Sequence, residues 1–174
     1  MDGHGLMWSE KLDATDMSDF HEFRDAGDGA LLTRCLVDPA TSVTYAKLSG
    51  VAGTEIDFGG PCEANVRSFE GAAKSVGGLV RVLENWTMTA SQIMDASACL
   101  DGVAFGADVT FGLAAGESVG ALRPTSRGHL IARNVVGTTV PTLGAALAEA
   151  GWTIGLKDGE LRLFNPGGLI LIVR

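Results

Sequence analysis

Glycine is the residue that most limits what this chain can fold into. The 174 residues include 24 glycines, and they occur along the whole chain instead of in one segment. Glycine suits tight turns and close backbone approaches, and it weakens the interior of a helix. Apolar residues make up 46% of the chain and charged residues 20%, which is enough apolar surface for a core. The sequence therefore predicts a β-rich α+β fold of short strands, one or two helices and many turns.

Negative charge is concentrated at the N-terminal end. Residues 1–29 hold eight acidic side chains against Lys11 and Arg24, which is −6 of the formal net charge of −8. Apolar residues at loose helical spacing from Ser9 to Arg24 fit a short amphipathic helix or an acidic arm. We divide the chain into this acidic arm or helix, 1–29, and a single globular domain, 30–174. An acidic chain lacks the clustered Lys and Arg that bind phosphates, so nucleic acid is not expected as a partner.

The cysteines and the apolar runs indicate an intracellular protein. Cys35, Cys62 and Cys99 form no Cys-x-x-Cys pair, and free thiols in a reducing compartment explain them best. They have no zinc-site spacing, and no dinucleotide-binding or phosphate-loop motif occurs, so neither a metal nor a cofactor is expected. No apolar run approaches the length of a membrane span, and residues 1–10 lack a signal-peptide core. We expect a soluble cytoplasmic protein with no membrane partner.

Periodicity and turn residues predict the elements. The stretch 64–86 is helix-compatible, because Leu79, Val82, Leu83 and Trp86 form one helical stripe. A second helix is predicted over 143–150, with Gly151 as its stop. No internal repeat is evident. Short strands are predicted at 30–37, 42–48, 54–58, 88–94, 109–114, 129–136, 152–156, 160–164 and 169–173, the 152–156 and 160–164 pair joined by an Asp158-Gly159 hairpin turn.

The terminal apolar strand, 169–173, is expected to pair either with its own sheet or with a second subunit.

One sequence motif matches the nucleophile elbow of serine hydrolases. Gly116-Glu-Ser-Val-Gly120 fits the pattern Gly-x-Ser-x-Gly, which requires a strand before the serine and a helix after it. Pro124 leaves no room for that helix, and His129 alone follows as a histidine. In a chain this rich in glycine, the match is explained by chance.

A carboxylate in a turn of small residues suggests a different chemistry. Asp95 lies in Ile93-Met94-Asp95-Ala96-Ser97-Ala98, at the end of an apolar segment. Two such carboxylates that face each other cannot both ionise, so one acts as base on a bound water and the other as acid. A chain with a single such turn must dimerise to supply the second carboxylate.

Segment 93–98 resembles the hydrophobic-hydrophobic-Asp-[Ser/Thr]-Gly-Ala signature of retropepsin-like aspartic proteases, with Ala96 and Ser97 in place of the family's Ser/Thr and Gly. Segment 140–154 is similar to the closing segment of that family, and Gly144 matches its structural turn glycine. The tail 152–173 resembles protease regions of Copia-like retrotransposon polyproteins.

The resemblance covers residues 88–174. It implies a closed β-domain that works as a homodimer and hydrolyses polypeptides through a pair of Asp95 carboxylates, without a cofactor.

Two alternatives stay open. Asp38, in Leu36-Val37-Asp38-Pro39-Ala40-Thr41-Ser42, is a second candidate for the catalytic carboxylate, although Pro39 explains it as a turn. More generally, an Asp after a strand is a common turn former, because its side chain bonds the backbone two residues on.

The rival function is a non-catalytic binding or assembly module, viral or from a mobile element, that pairs an edge strand with a protein partner. The sequence does not decide whether the chain is an enzyme.

Overall fold

The computed structural model describes residues 32–34, 44–57 and 63–165. Within these ranges the chain forms thirteen strands and two short α-helices, which confirms the β-rich α+β class. The strands are β1 (Leu32–Arg34), β2 (Thr44–Gly50), β3 (Glu55–Asp57), β4 (Glu63–Gly71), β5 (Lys74–Val76), β6 (Leu79–Met88), β7 (Leu100–Asp101), β8 (Val103–Phe105), β9 (Thr110–Leu113), β10 (His129–Arg133), β11 (Thr142–Leu143), β12 (Thr153–Lys157) and β13 (Glu160–Phe164). The helices are α1 (Ala90–Met94) and α2 (Ala145–Glu149).

The strands belong to two sheets, and the chain alternates between them. Sheet A has the order β1-β3-β5-β7-β10-β13-β12, and sheet B has the order β11-β9-β6-β4-β2, with β8 also on β6. All described pairs are parallel except those that β13 makes with β10 and β12. A chain that gives one strand to each sheet in turn, and pairs each with the strand of the preceding turn, is a solenoid of stacked coils.

Register alignment between coils builds the core. Along sheet B, one position repeats as Leu48, Phe69, Trp86, Phe111 and Leu143, each the register partner of the next. The first four side chains are buried, and Trp86 and Phe111 have no exposed surface. Their ring centroids lie 4.5 Å apart, within the range of favourable aromatic contacts. We call these five residues the apolar column.

Glycine is required at one corner of the solenoid. Gly71 has φ of +82°, and a Cβ there would collide with the carbonyl oxygen of Gly50, its register partner in β2. The Trp86 indole N–H donates to the Gly71 carbonyl oxygen at 3.0 Å, so the buried indole has its partner. Close coil stacking and the satisfied indole both depend on this backbone position.

The predicted helix over 64–86 is wrong, since this stretch forms β4, β5 and β6. Val80 and Val82 are buried in alternation, as in a strand with one covered face, and a register shift between β4 and β6 after Val66 disturbs the alternation. Glu84 is exposed where plain alternation would bury it, so the next buried residue after Val82 is Trp86, four residues on, and this spacing resembles a helical stripe. The predicted strand 88–94 is also wrong: β6 ends at Met88, and Thr89 begins α1 with a capping box to Gln92.

The predictions for residues 143–164 are confirmed. Helix α2 lies within 143–150, and Gly151 follows it with φ of +80°. Strands β12 and β13 form the predicted antiparallel hairpin, with φ of +52° at Asp158 and +77° at Gly159. Positive φ at both central residues is the requirement of a type I′ turn.

The strands predicted at 42–48, 54–58, 109–114 and 129–136 are present as β2, β3, β9 and β10. Residues 1–29, Asp38 and the strand predicted at 169–173 lie outside the described residues.

The structure repeats although the sequence does not. Along sheet B the register advances from Thr44 to Asn65, 21 residues, then from Asn65 to Arg81, 16 residues. From Thr110 to Thr142 the advance is 32 residues. Since successive coils differ so much in length, a search for a fixed period misses them. Residue 88, where the resemblance to aspartic proteases begins, is not a boundary within sheet B. Strand β6, which ends at Met88, pairs with β4 on one side and with β8 and β9 on the other.

Candidate functional site

Asp95, the predicted catalytic residue, lies in the turn between α1 and β7. It is the C-cap of α1, and its backbone N–H donates to the carbonyls of Ser91 and Gln92. Its carboxylate is exposed, and Oδ1 accepts from the Ser97 backbone N–H at 2.9 Å and from the Ser97 hydroxyl at 2.7 Å. This is the hydrogen-bond pattern of an Asp that closes its own turn.

The electrostatics of Asp95 follow from the same two bonds. The Ser97 hydroxyl and then the Ser97 N–H stabilise the charged carboxylate, and they lower the pKa of Asp95 below its ordinary value. A depressed pKa keeps the carboxylate ionised further into acid than a free Asp. The role of Asp95 as a proton-sharing acid or base, which needs a second Asp95 facing it, stays a prediction.

The other two residues from the sequence hypotheses also have turn geometry. Gly144 is the N-cap of α2, and its N–H donates to the Phe111 carbonyl at 2.7 Å, which ties the helix start to β9. Ser118, from the Gly-x-Ser-x-Gly match, begins a 3₁₀ turn over 119–121 and accepts from the Gly120 N–H. Three residues are too few for the helix that a nucleophile elbow requires.

A column of alternating charge, not anticipated from the sequence, crosses sheet A. Glu55, Lys74, Asp101 and Arg133 occupy one register position in four successive strands. Lys74 Nζ lies 3.4 Å from Glu55 Oε1, and Arg133 Nε donates to Asp101 Oδ2 at 2.8 Å. Each charge has a neighbour of opposite sign, which removes the repulsion that stacked parallel strands would otherwise create.

Asp101 is the most enclosed carboxylate of that column. It is 9% exposed, and Asn134 donates to its Oδ1 at 2.7 Å while Arg133 donates to Oδ2. Asn134 has φ of +50°, a conformation that Asn tolerates better than most residues. Nearby Cys99 is buried, and burial raises the pKa of its thiol, which keeps it protonated and unreactive at neutral pH. The cluster therefore has the features of a structural site that holds adjacent coils together.

The outermost strands of sheet B and sheet A form the second kind of candidate site. On the N-terminal side, β2 is the last described strand of sheet B, and its described partner is β4. On the C-terminal side, sheet A ends on β12 and sheet B on β11, which has two residues. An outermost strand directs half of its backbone N–H and C=O groups away from its sheet, where they can pair with another chain.

Ser49 distinguishes the β2 edge. Its hydroxyl oxygen is buried and has no hydrogen-bond partner, and no other side-chain nitrogen or oxygen of the described residues is in that state. Buried polar atoms in native proteins nearly always have partners, so an exception requires an explanation. The sequence gives no signal for it, because a serine in a strand is ordinary until its register and burial are known.

Comparison with models of protein families, with curated proteins and with solved structures gave no match. The two described α-helices have five residues each and are too short to cross a membrane. Within the described ranges, no three His, Cys, Asp or Glu side chains lie close enough together to hold a metal ion.

Proposed function

We propose that this chain is a self-assembling module, in which a strand at the edge of one solenoid pairs with a strand of a second copy. The observation that supports it is the seven-residue strand β2, outermost among the described strands of sheet B. Strand addition at such an edge joins two chains through backbone hydrogen bonds.

The direction of the backbone groups in β2 supports pairing on the side that faces away from β4. The Gly50 carbonyl accepts from the Ala72 N–H at 3.2 Å, so the backbone of Gly50 faces the following coil. Successive residues of a strand point their backbone groups to opposite sides. The N–H and C=O groups of Ser49 and Lys47 therefore point away from β4, in position for an added strand.

The opposite end of the solenoid is less suited to strand addition. Strand β11 is short, and α2 follows it with Leu147 fully buried against the core. Strand β12 has five residues, two fewer than β2.

The test is the mass of the purified full-length chain by light scattering over a wide range of concentration. We expect the wild type to self-associate and Ser49→Pro to be monomeric. Proline at position 49 removes only a donor that points away from β4, so β2–β4 pairing is retained. The matched variant is Thr153→Pro, at the first residue of β12, where proline is tolerated.

Three outcomes are informative. Loss of association in either proline variant, with unchanged thermal unfolding of that variant at low concentration, supports assembly through a sheet edge. Association that survives both substitutions overturns strand addition. A wild-type chain that stays monomeric at every concentration overturns self-assembly itself.

A further inference from the structure

A loop with unpaired arginines precedes β10, in a part of the chain without acidic residues. Residues 118–148 contain three arginines and no Asp or Glu, although the whole chain has a formal charge of −8. Arg133 is paired within the charge column of sheet A. Neither Arg123 nor Arg127 forms an ion pair with a carboxylate of the described residues. All residues of 123–127 are exposed, and we call them the cationic loop.

The backbone of the cationic loop is held at both ends. Leu122 and His129, which flank this part of the chain, are buried. A hydrogen bond of 2.7 Å joins His129 Nε2 to the Arg123 carbonyl oxygen, and the Arg162 guanidinium donates to the Gly128 carbonyl at 3.3 Å. The loop therefore presents its two arginines on an ordered frame, and a partner that binds them does not have to order the backbone first.

The chain itself contains a segment of the opposite charge. Residues 1–29 carry eight acidic side chains and a net charge of −6. From Glu10 to Asp28, a carboxylate occupies every third position of the sequence. Because this spacing repeats, several carboxylates of the segment can meet the two arginines in turn, and opposite charges attract.

Strand direction brings this segment and the cationic loop to the same edge of sheet A. Strands β1, β3, β5, β7 and β10 are parallel, so their N-terminal ends lie along one edge. Residues 1–29 precede β1, and the cationic loop precedes β10. The register aligns Leu32 with Arg133, four strand spacings across the sheet, or about 19 Å, and His129 lies about 13 Å further toward that edge. About seven extended residues span this distance, so most of the acidic segment is within reach of the loop.

We infer that residues 1–29 dock on the cationic loop of the same chain, through Arg123 and Arg127. Attachment to β1 gives the segment an effective concentration on the order of millimolar, so a few exposed ion pairs are enough to hold it. A polyanion from outside lacks this advantage and is repelled by the charge of the segment. The inference does not depend on the proposed self-assembly.

The test is carbodiimide cross-linking of the full-length chain that carries Arg123→Lys and Arg127→Lys. Both substitutions keep the positive charge and supply an amine. The reagent joins an amine to a carboxylate in contact with it as an amide, and it takes up the released water to leave as a urea. Lys157 is the internal control, because it is exposed, forms no ion pair with the described residues and pairs with Glu160, at the opposite end of the hairpin from Phe164, which lies beside Gly128.

Mass spectrometry of the digested chain measures which carboxylates each amine reaches. At low salt, we expect the two introduced amines to join residues 10–28 with about tenfold the yield of Lys157, because the docked segment lies at the loop. At about 0.5 M salt this excess should disappear, because exposed ion pairs are screened. Thermal unfolding that matches the wild type is the control for folding.

Three results would overturn the inference. Equal yields from Lys157 and from the introduced amines at low salt would show that the segment does not prefer the loop. An absence of cross-links to residues 10–28 would show that the segment does not dock. In a mixture of isotope-labelled and unlabelled chains, cross-links that join a labelled to an unlabelled peptide would place the segment on a second copy instead of its own chain.

Discussion

The coils within residues 44–88 and the cap of residues 142–164 are built from different kinds of strand pairing. The coils contain parallel strands paired over long sequence separations, with side chains aligned from coil to coil. The cap contains local structure, namely the short helix α2 and the antiparallel hairpin β12–β13. At the C-terminal end of the described residues, α2 follows the two-residue strand β11 and buries Leu147 against the core. At the other end β2 remains the outermost described strand, and this asymmetry is the physical basis of the proposed assembly.

The largest predicted difference between the two regions is the cost of removing a tryptophan. Trp86→Ala should lower the free energy of unfolding by about 3–5 kcal/mol, because the ring is fully buried between coils and Gly71 loses its indole donor. Trp152→Ala, in the cap beside His129, should cost no more than about 3 kcal/mol, because a site at the end of the solenoid can collapse. Urea unfolding of both variants measures the difference. Equal losses would contradict a coil region more tightly packed than the cap.

Glycine substitutions test the same difference in packing between the coils and the cap. Gly159→Ala in the hairpin turn should cost about 1–2 kcal/mol, the strain of a left-handed alanine, because an added Cβ has room there. Gly71→Ala should cost more, since it adds a collision with the Gly50 carbonyl to the same backbone strain. Chemical unfolding of both variants compares them. A smaller loss for Gly71→Ala would mean that the coils can separate without penalty.

The turn at Asp95 connects the coils to the later strands, and a titration of its carboxyl tests the hydrogen bonds of this turn. The pKa of its carboxyl should lie below the ordinary Asp value in the wild type and rise toward that value in Ser97→Ala, because the substitution removes the hydroxyl bond, the larger of the two causes, and keeps the backbone N–H bond. Because the pKa of Asp95 is lower in the folded than in the unfolded chain, its carboxylate stabilises the turn fully at pH values above the unfolded-state pKa. This stabilisation is lost as the pH falls through the folded-state pKa. Carboxyl NMR titration measures the shift, and Asp95→Asn assigns the signal. An unchanged titration in Ser97→Ala would show that the hydroxyl bond does not form in solution.

The smallest expected effect concerns catalysis. Under the assembly proposal, incubation with an unfolded protein substrate between acid and neutral pH should give the same result for the wild type and Asp95→Asn. Cleavage that is strongest in acid and absent from Asp95→Asn would instead establish the aspartic protease hypothesis, in which two Asp95 carboxylates share a proton. Matching far-ultraviolet circular dichroism of the two chains is the control for folding.

The sequence by itself determined the β-rich class and the local structure of the cap. The Asp158-Gly159 turn, the end of α2 before Gly151 and several single strands were predictable, because each depends on a few adjacent residues. Turn chemistry and helix stops act over one or two turns of chain, so a single sequence contains the whole signal.

Only the tertiary structure decided the solenoid and the site at its edge. Its coils differ in length, so nothing in the linear sequence aligns Leu48 with Phe69 or Glu55 with Lys74. The four-residue spacing between the buried Val82 and Trp86 of β6 is also typical of a helix, and it led the sequence prediction to the wrong element. The unpaired Ser49 hydroxyl is likewise a product of packing. Parallel pairing joins residues far apart in the chain, and their meeting depends on the energy of the whole fold.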